Sequence, residues 1–148
     1  MNYFLDFMVV IAMFFGLNEA CRYNRIEIQN HLPPGTILQV HCRSKNPNGD
    51  VGVKQLKDAI VPIIMEFQDK SIDHKKKAWM CRLSYISKKY KLEYYYDIQV
   101  YRAATFRRCG QLRRWIAKKD GIYFTKNHDK PPGFVLSWMV RDPNNPPK

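Results

Sequence analysis

Short segments with apolar residues at every second position recur along the chain after residue 20. In residues 23–30, Ile26 and Ile28 alternate with charged and amide side chains, and residues 37–42 repeat the alternation. A period of two places the apolar side chains on one face of a β-strand. Segments rich in β-branched and aromatic residues predict further strands at 60–67, 78–85, 92–101, 114–117, 122–124 and 134–140.

Turn residues separate these segments, as at residues 33–35, 46–50 and 120–121. No long segment carries apolar residues at a helical spacing. The pattern therefore predicts an all-β protein with little helix, namely a small antiparallel β-sandwich of about seven or eight strands. Pro62 cannot donate a ladder hydrogen bond, so it predicts an edge strand or a bulge within 60–67.

The pattern of the first 20 residues predicts a signal peptide. An almost unbroken apolar run covers residues 7–15, and small and polar residues follow it up to Ala20. The run is shorter than the roughly 20 residues that span a bilayer, so we expect cleavage near Ala20, before Cys21, and no membrane span in the mature chain. The alternative is an N-terminal strand or core helix, but no polar residue repeats within the run at either period.

Residues 21–141 then form one β-sandwich domain, followed by a flexible Pro- and Asn-rich tail at 142–148. Removing residues 1–20 deletes Asp6 and Glu19 but no basic residue, which raises the formal charge from +12 to +14. This charge favours anionic partners, such as an acidic protein surface, a wall polyanion or anionic lipid. The alternative is a solvated basic face that only keeps a secreted protein soluble.

The mature chain retains four cysteines, Cys21, Cys42, Cys81 and Cys109. An even number in a secreted chain predicts disulfides, and four cysteines allow three connectivities, which the sequence leaves open. Neither a close pair of cysteines nor a neighbouring histidine ligand matches the spacing of a zinc site, so no metal is predicted.

The sequence predicts no catalytic site and no cofactor. The four histidines, His31, His41, His74 and His128, are far apart in the sequence, and no short nucleotide-binding or hydrolase motif is present. An alternative hypothesis is a secreted hydrolase that cleaves RNA with His41 as an acid or base. We interpret His41 as a structural residue on the polar face of a strand, and the strand aromatics as core rather than a surface that stacks nucleic-acid bases.

Several strings in the same order resemble the plant self-incompatibility S-protein homologue family. The strings are IEIQNHL at 26–32, LQVHCRSK at 38–45, DVG at 50–52, WMC at 79–81, IQVY at 98–101, WI at 115–116 and DGIY at 120–123. Many members of that family carry a second cysteine two residues before the tryptophan, where this chain has Arg113. The resemblance therefore leads us to expect that Cys21 takes over the role of the missing cysteine.

The resemblance implies a secreted β-sandwich that acts as an extracellular ligand for a cell-surface receptor, in pollen rejection or in other signalling between cells. It supplies no catalytic residues. Recognition in such a domain is expected on loops held by the sheets. We predict a receptor-binding surface on the loop from 102 to 114 and on the lysine triple, with the candidate residues Lys75, Lys76, Lys77, Arg107, Arg108, Arg113 and Arg114.

Overall fold

The computed structural model describes residues 21–44, 49–68, 78–104 and 107–145. The predicted signal peptide, Ala20 at its end, the lysine triple Lys75–Lys77 and His74 lie outside these ranges. Across the described parts of the chain, no helix is both long enough and apolar enough to span a bilayer.

The described residues form ten β-strands and no helix. The strands are β1 (Asn24–Asn30), β2 (Leu38–Ser44), β3 (Asp50–Leu56), β4 (Ile63–Phe67), β5 (Ala78–Ile86), β6 (Glu93–Arg102), β7 (Leu112–Lys118), β8 (Gly121–Thr125), β9 (Gly133–Leu136) and β10 (Met139–Arg141). They build a first sheet in the order β4-β1-β7-β8-β9 and a second sheet in the order β10-β6-β5-β2-β3. The predicted β-sandwich is confirmed.

One hydrophobic core lies between the two sheets. Ile26 and Ile28 of β1 are fully buried and belong to the same cluster as Val40 of β2, Leu83 of β5 and Ile98 of β6. The apolar side chains of β1 and β2 therefore face the core as predicted, because successive side chains of a strand point to opposite faces.

Two strands differ from the prediction. β3 lies between residues 42 and 60, where we predicted a turn and no strand, and it is an edge strand in which only Leu56 is buried. A strand that is mostly exposed has no regular apolar alternation to reveal it. The segment 134–140, predicted as one strand, is divided into β9 of the first sheet and β10 of the second.

Trp138 holds the crossing between those two strands. Its indole nitrogen donates a hydrogen bond to the carbonyl oxygen of Lys118 at 2.8 Å, and its ring meets that of Tyr85 edge to face, with 5.1 Å between centroids. β4 begins directly after Pro62 and is an edge strand, as Pro62 led us to predict.

Among the ten described strands, all pairs are antiparallel except β1 and β7, which run parallel in the middle of the first sheet. Ile26 lies opposite Arg113, Glu27 opposite Arg114 and Ile28 opposite Trp115. The predicted antiparallel arrangement therefore does not hold at this pair, which joins segments far apart in the sequence.

All four cysteines form disulfides. Cys42 and Cys81 lie opposite each other on β2 and β5, with their Cα atoms 4.0 Å apart, and both are buried in the core. Cys21 pairs with Cys109 and so ties the segment before β1 to the loop before β7. Cys21 is thus part of the folded framework, as the resemblance led us to expect.

A buried carboxylate lies on the outward face of the first sheet. Glu27 is only 3% exposed and forms ion pairs with Arg25 at 2.7 Å and with Arg114 at 2.6 Å. Burial raises the pKa of Glu27, but the hydrogen bond and charge of Arg114, with the charge of Arg25, outweigh it, so the pKa lies below its ordinary 4.5. The carboxylate is therefore ionised at neutral pH.

We expect the double substitution Cys42→Ala/Cys81→Ala to lower the free energy of unfolding by about 4 kcal/mol, because the bridge closes a loop across a sequence separation of 39 residues. Urea denaturation of the oxidised protein measures the change. A loss below about 1 kcal/mol, or a thiol that titrates in the native wild-type protein, would contradict the assigned framework.

We expect Glu27→Gln to lower the free energy of unfolding by about 2 kcal/mol at pH 7, because it removes the charged acceptor of two guanidiniums. Since the pKa of Glu27 is lowered by folding, its contribution is present above pH 4.5 and disappears as the pH falls through the folded pKa. Denaturation of both proteins between pH 7 and pH 3 should show the two stabilities converging at the acid end.

Glu66→Gln is the matched control. Glu66 contacts Arg25 at 3.4 Å, but its side chain is 52% exposed, so its loss should cost less than about 1 kcal/mol. Equal effects of the two substitutions, or a Glu27→Gln effect that does not change with pH, would show that the buried ion pair lacks this role.

Candidate recognition surfaces at the two ends of the sandwich

The strand directions bring the loops together at two opposite ends of the sandwich. The loops at 31–37, 87–92 and 119–120 share one end, which we call the lysine end. The segment 21–23 and the loops at 103–111 and 126–132 share the other end, which we call the arginine end. Residues 105 and 106 of the 103–111 loop lie outside the described ranges.

Buried Asn24 holds the 103–111 loop in place. Its amide nitrogen donates to the carbonyl oxygen of Arg108 at 2.9 Å, and its side-chain oxygen accepts from the backbone N–H of Gln111 at 3.0 Å. The backbone N–H of Gly110 donates to the carbonyl oxygen of Arg22 at 2.9 Å. With the disulfide at Cys109, these bonds fix the described part of the loop against the segment before β1.

The predicted receptor-binding arginines divide into two groups. Arg107 is exposed and Arg108 is half-buried, and both lie in the 103–111 loop as expected. Arg113 and Arg114 do not, because both belong to β7. Adjacent residues of a strand point to opposite faces, so a basic pair that resembles a loop in the sequence places one side chain outward and one toward the core.

Arg114 is committed to the sheet. It is bound to Glu27, and its Nη2 also lies 2.8 Å from Nδ1 of His128. These contacts give Arg114 a structural role on the outward face of the first sheet, which corrects its assignment to a recognition loop.

Arg113 instead lines a cavity at the arginine end. This cavity, the arginine pocket, has a volume of about 290 Å³ and is lined by Arg102, Arg108, Arg113, Tyr101, Trp115 and Phe124 together with Gln99, Val100 and Ala103. Burial, and after it the positive charge of Arg108, lower the pKa of Arg113. The pocket therefore concentrates positive charge against aromatic walls.

The lysine end carries a second basic surface. A groove of about 360 Å³ is lined by Lys88, Lys89 and Lys119 together with Pro33, Pro34, Thr36, Ser87 and three tyrosines. Burial raises the pKa of one of these, Tyr85, to about 12, so its phenol stays neutral. The charge of this groove therefore comes from its exposed lysines. Their basic character was already visible in the lysine pairs of the sequence.

The described histidines contact three different partners. His41 Nε2 lies 2.7 Å from a carboxylate oxygen of Asp50 on the outward face of the second sheet. His31 contacts Gln29 at the lysine end, and His128 contacts Arg114. Among the described residues, no group of three or more His, Cys, Asp or Glu side chains is arranged to hold a metal ion.

Sequence reasoning missed Asn24 and Glu27, which hold the loop and the sheet. Both are polar residues of β1, which the alternation of apolar positions does not mark as buried. Both are nevertheless almost fully buried. The signal that could have found Glu27 is the single acidic residue of β1 in a chain with 25 Lys and Arg against 13 Asp and Glu, where cationic neighbours are expected.

Comparisons with known proteins agree with this architecture. Residues 25–138 match the family model described as plant self-incompatibility protein S1. The chain is 41% identical to S-protein homolog 25 of Arabidopsis thaliana over 93% of this chain and 98% of that protein. It is also 41% identical to S-protein homolog 30 of the same plant, over 88% of this chain and 98% of that protein.

A solved structure shares the fold, with a TM-score of 0.58 and 28% identity, over 80% of this chain and 96% of the solved chain. It is described as a structure of SPH (Self-Incompatibility Protein Homologue) proteins, a widespread family of small, highly stable, secreted proteins from plants. The predicted secretion and the predicted resemblance are confirmed at the level of the family. By its sequence match and its fold, this chain belongs to the plant self-incompatibility protein S1 family.

Proposed function

We propose that this secreted protein is an extracellular ligand that a cell-surface receptor recognises through the arginine end. The observation that supports the proposal is the 103–111 loop, which presents Arg107 to solvent while Asn24 and the Cys21–Cys109 disulfide hold its backbone. The function we propose is binding, with no bond made or broken.

A loop held in one conformation binds with a smaller loss of conformational entropy than a mobile one. The charge of the loop favours an acidic receptor surface, because complementary charge accelerates encounter and discriminates against other partners. The lysine triple Lys75–Lys77 stays a sequence-based candidate for receptor binding, because it lies outside the described residues.

We expect the oxidised protein to bind plant plasma-membrane vesicles saturably, and the double substitution Arg107→Glu/Arg108→Glu to weaken that binding at least about tenfold, because it reverses two charges on the loop. Equilibrium binding of labelled protein to the vesicles measures the effect. The matched control is Arg43→Glu, which reverses the charge of an exposed arginine on β2 of the other sheet.

The two results that would contradict the proposal are distinct. Non-saturable binding by the wild-type protein would show that it binds no receptor in these membranes. Equal losses of binding in the loop variant and in Arg43→Glu would show that overall charge, and not the loop, determines the binding.

A second candidate function is binding of an extracellular polyanion, such as a wall polysaccharide or RNA, at the lysine end. The groove between Lys88, Lys89 and Lys119 favours it, because clustered cations bind a polyanion and release its counterions. The hydrolase alternative places chemistry at His41, whose contact is Asp50 on the second sheet.

We expect polygalacturonate and RNA to be bound without cleavage, with affinity falling at least about tenfold between roughly 50 and 200 mM salt. Lys88→Gln/Lys89→Gln should weaken this binding more than the control Lys126→Gln/Lys130→Gln, whose exposed lysines lie at the arginine end. Affinity chromatography and product sizing measure both. Cleavage that is lost in His41→Ala would establish the hydrolase instead.

A further inference from the structure

We infer that the arginine pocket binds a single carboxylate group, carried by an acidic side chain of the receptor. The inference rests on the proposed function and specifies the chemical group that the arginine end recognises. It concerns Arg113, which points toward the inside of the sandwich, rather than the exposed arginine of the loop.

Arg113 is a half-buried cation that has no carboxylate partner in the described parts of the chain. Four other partly buried arginines of the strands each have one: Arg25 and Arg114 contact Glu27, and Arg82 and Arg141 contact Glu93. Among the described residues, no carboxylate lies within 4.0 Å of Arg113.

The contacts that Arg113 does make are weak. Its Nη2 donates to the amide oxygen of Gln111 at 3.4 Å, and its guanidinium lies 5.8 Å from the centre of the Phe124 ring. Neither partner carries a negative charge. A cation removed from water without a counter-charge is unfavourable, so an anion that enters the pocket would be stabilised.

Two buried N–H groups at the pocket have no acceptor among the residues that the structure describes. They are Nε of Arg113 and Nε1 of Trp115, and both residues line the cavity. The two residues are separated by one position on β7, so their side chains leave the same face of the strand. Buried donors are nearly always paired in folded proteins, so an unpaired couple on one wall indicates that an acceptor belongs there.

Positive charge also converges on the pocket from its rim. Arg102 ends β6 and Arg108 lies in the 103–111 loop, and both line the cavity beside Arg113. The charge of Arg108 contributes to lowering the pKa of Arg113, which is the effect of like charges held close together. An anion between them would relieve this repulsion.

The lining of the pocket favours a carboxylate. Arg102, Arg108 and Arg113 line a cavity of about 290 Å³, and Tyr101, Trp115 and Phe124 form part of its walls. A guanidinium binds a carboxylate through two parallel hydrogen bonds, and aromatic residues with arginine are enriched among the residues that dominate protein interfaces. The groove at the lysine end is lined by lysines instead, which bind anions without this two-bond geometry.

The test is a titration of the oxidised, ¹⁵N-labelled protein with an N-acetylated, C-amidated tri-glutamate peptide, followed by the indole resonances of its tryptophans. We expect a saturable shift of the Trp115 indole resonance. The Trp138 indole should not shift, because its N–H already donates to Lys118. A tri-glutamine peptide of the same length is the uncharged control, and Trp115→Phe assigns the resonance.

Arg113→Gln should weaken binding of the tri-glutamate peptide at least about tenfold, the scale expected for a hydrogen bond to a charged group. Arg108→Gln, which keeps the backbone carbonyl that Asn24 holds, should weaken it as well and decides the matter if Arg113→Gln does not fold. Arg43→Gln is the matched control and should leave the affinity unchanged.

Failure of the inference differs from failure of the proposed function. A Trp115 resonance that does not move, or equal affinities in the wild-type, Arg113→Gln and Arg108→Gln proteins, would overturn the pocket even if the protein binds membranes. A Trp115 shift produced by oligogalacturonate and not by tri-glutamate would assign the pocket to a polysaccharide and overturn the inference. A tri-glutamate shift without membrane binding would support the carboxylate site and refute the receptor.

Discussion

The parallel pairing of β1 with β7 is the constraint on which the rest of this structure depends. It joins the start of the described chain to a strand almost ninety residues away. The Cys21–Cys109 disulfide links the same two regions across a sequence separation of 88. The same register places Glu27 beside Arg114 and the segment before β1 beside the 103–111 loop. The pairing therefore contributes, with the Cys21–Cys109 disulfide, to the shape of the arginine end.

β1 organises both ends of the sandwich through two buried asparagines. Asn24 binds the loop at the arginine end, and Asn30 donates to the carbonyl oxygens of Thr36 at 2.9 Å and Leu56 at 2.8 Å at the lysine end. Buried amides of this kind are stable only when their hydrogen bonds are made, so they specify the conformation of the loops they contact. One strand therefore connects the hydrophobic core to both basic surfaces.

Two groups of described cations differ in their contacts. Arg82 and Arg114, on the outward faces of the sheets, are paired with carboxylates and hold neighbouring strands together. At the two ends, lysines and arginines gather around cavities instead. A high net charge by itself predicts only an anionic partner, and this division supports the proposal that recognition occurs at the ends of the sandwich.

The sequence by itself predicted the class of fold, the export of the chain, the core face of β1 and β2, and an edge strand or a bulge at Pro62. These follow from local rules, since a period of two or a missing N–H acts within a few residues. The family resemblance also rests on short strings in order. It reached the involvement of Cys21 but left its partner open, because four cysteines have three possible connectivities.

Only the tertiary structure decided the parallel β1–β7 pair, the edge strand β3, the division of 134–140 between two sheets and the roles of Arg113 and Arg114. Each depends on contacts between distant segments, or on the face of a strand that a residue occupies in a sheet whose neighbours the sequence does not reveal. A basic pair in β7 looks the same in the sequence as one in a loop. The physical difference is that a strand sends one guanidinium to Glu27 and the other to the inward face, where it lines the arginine pocket.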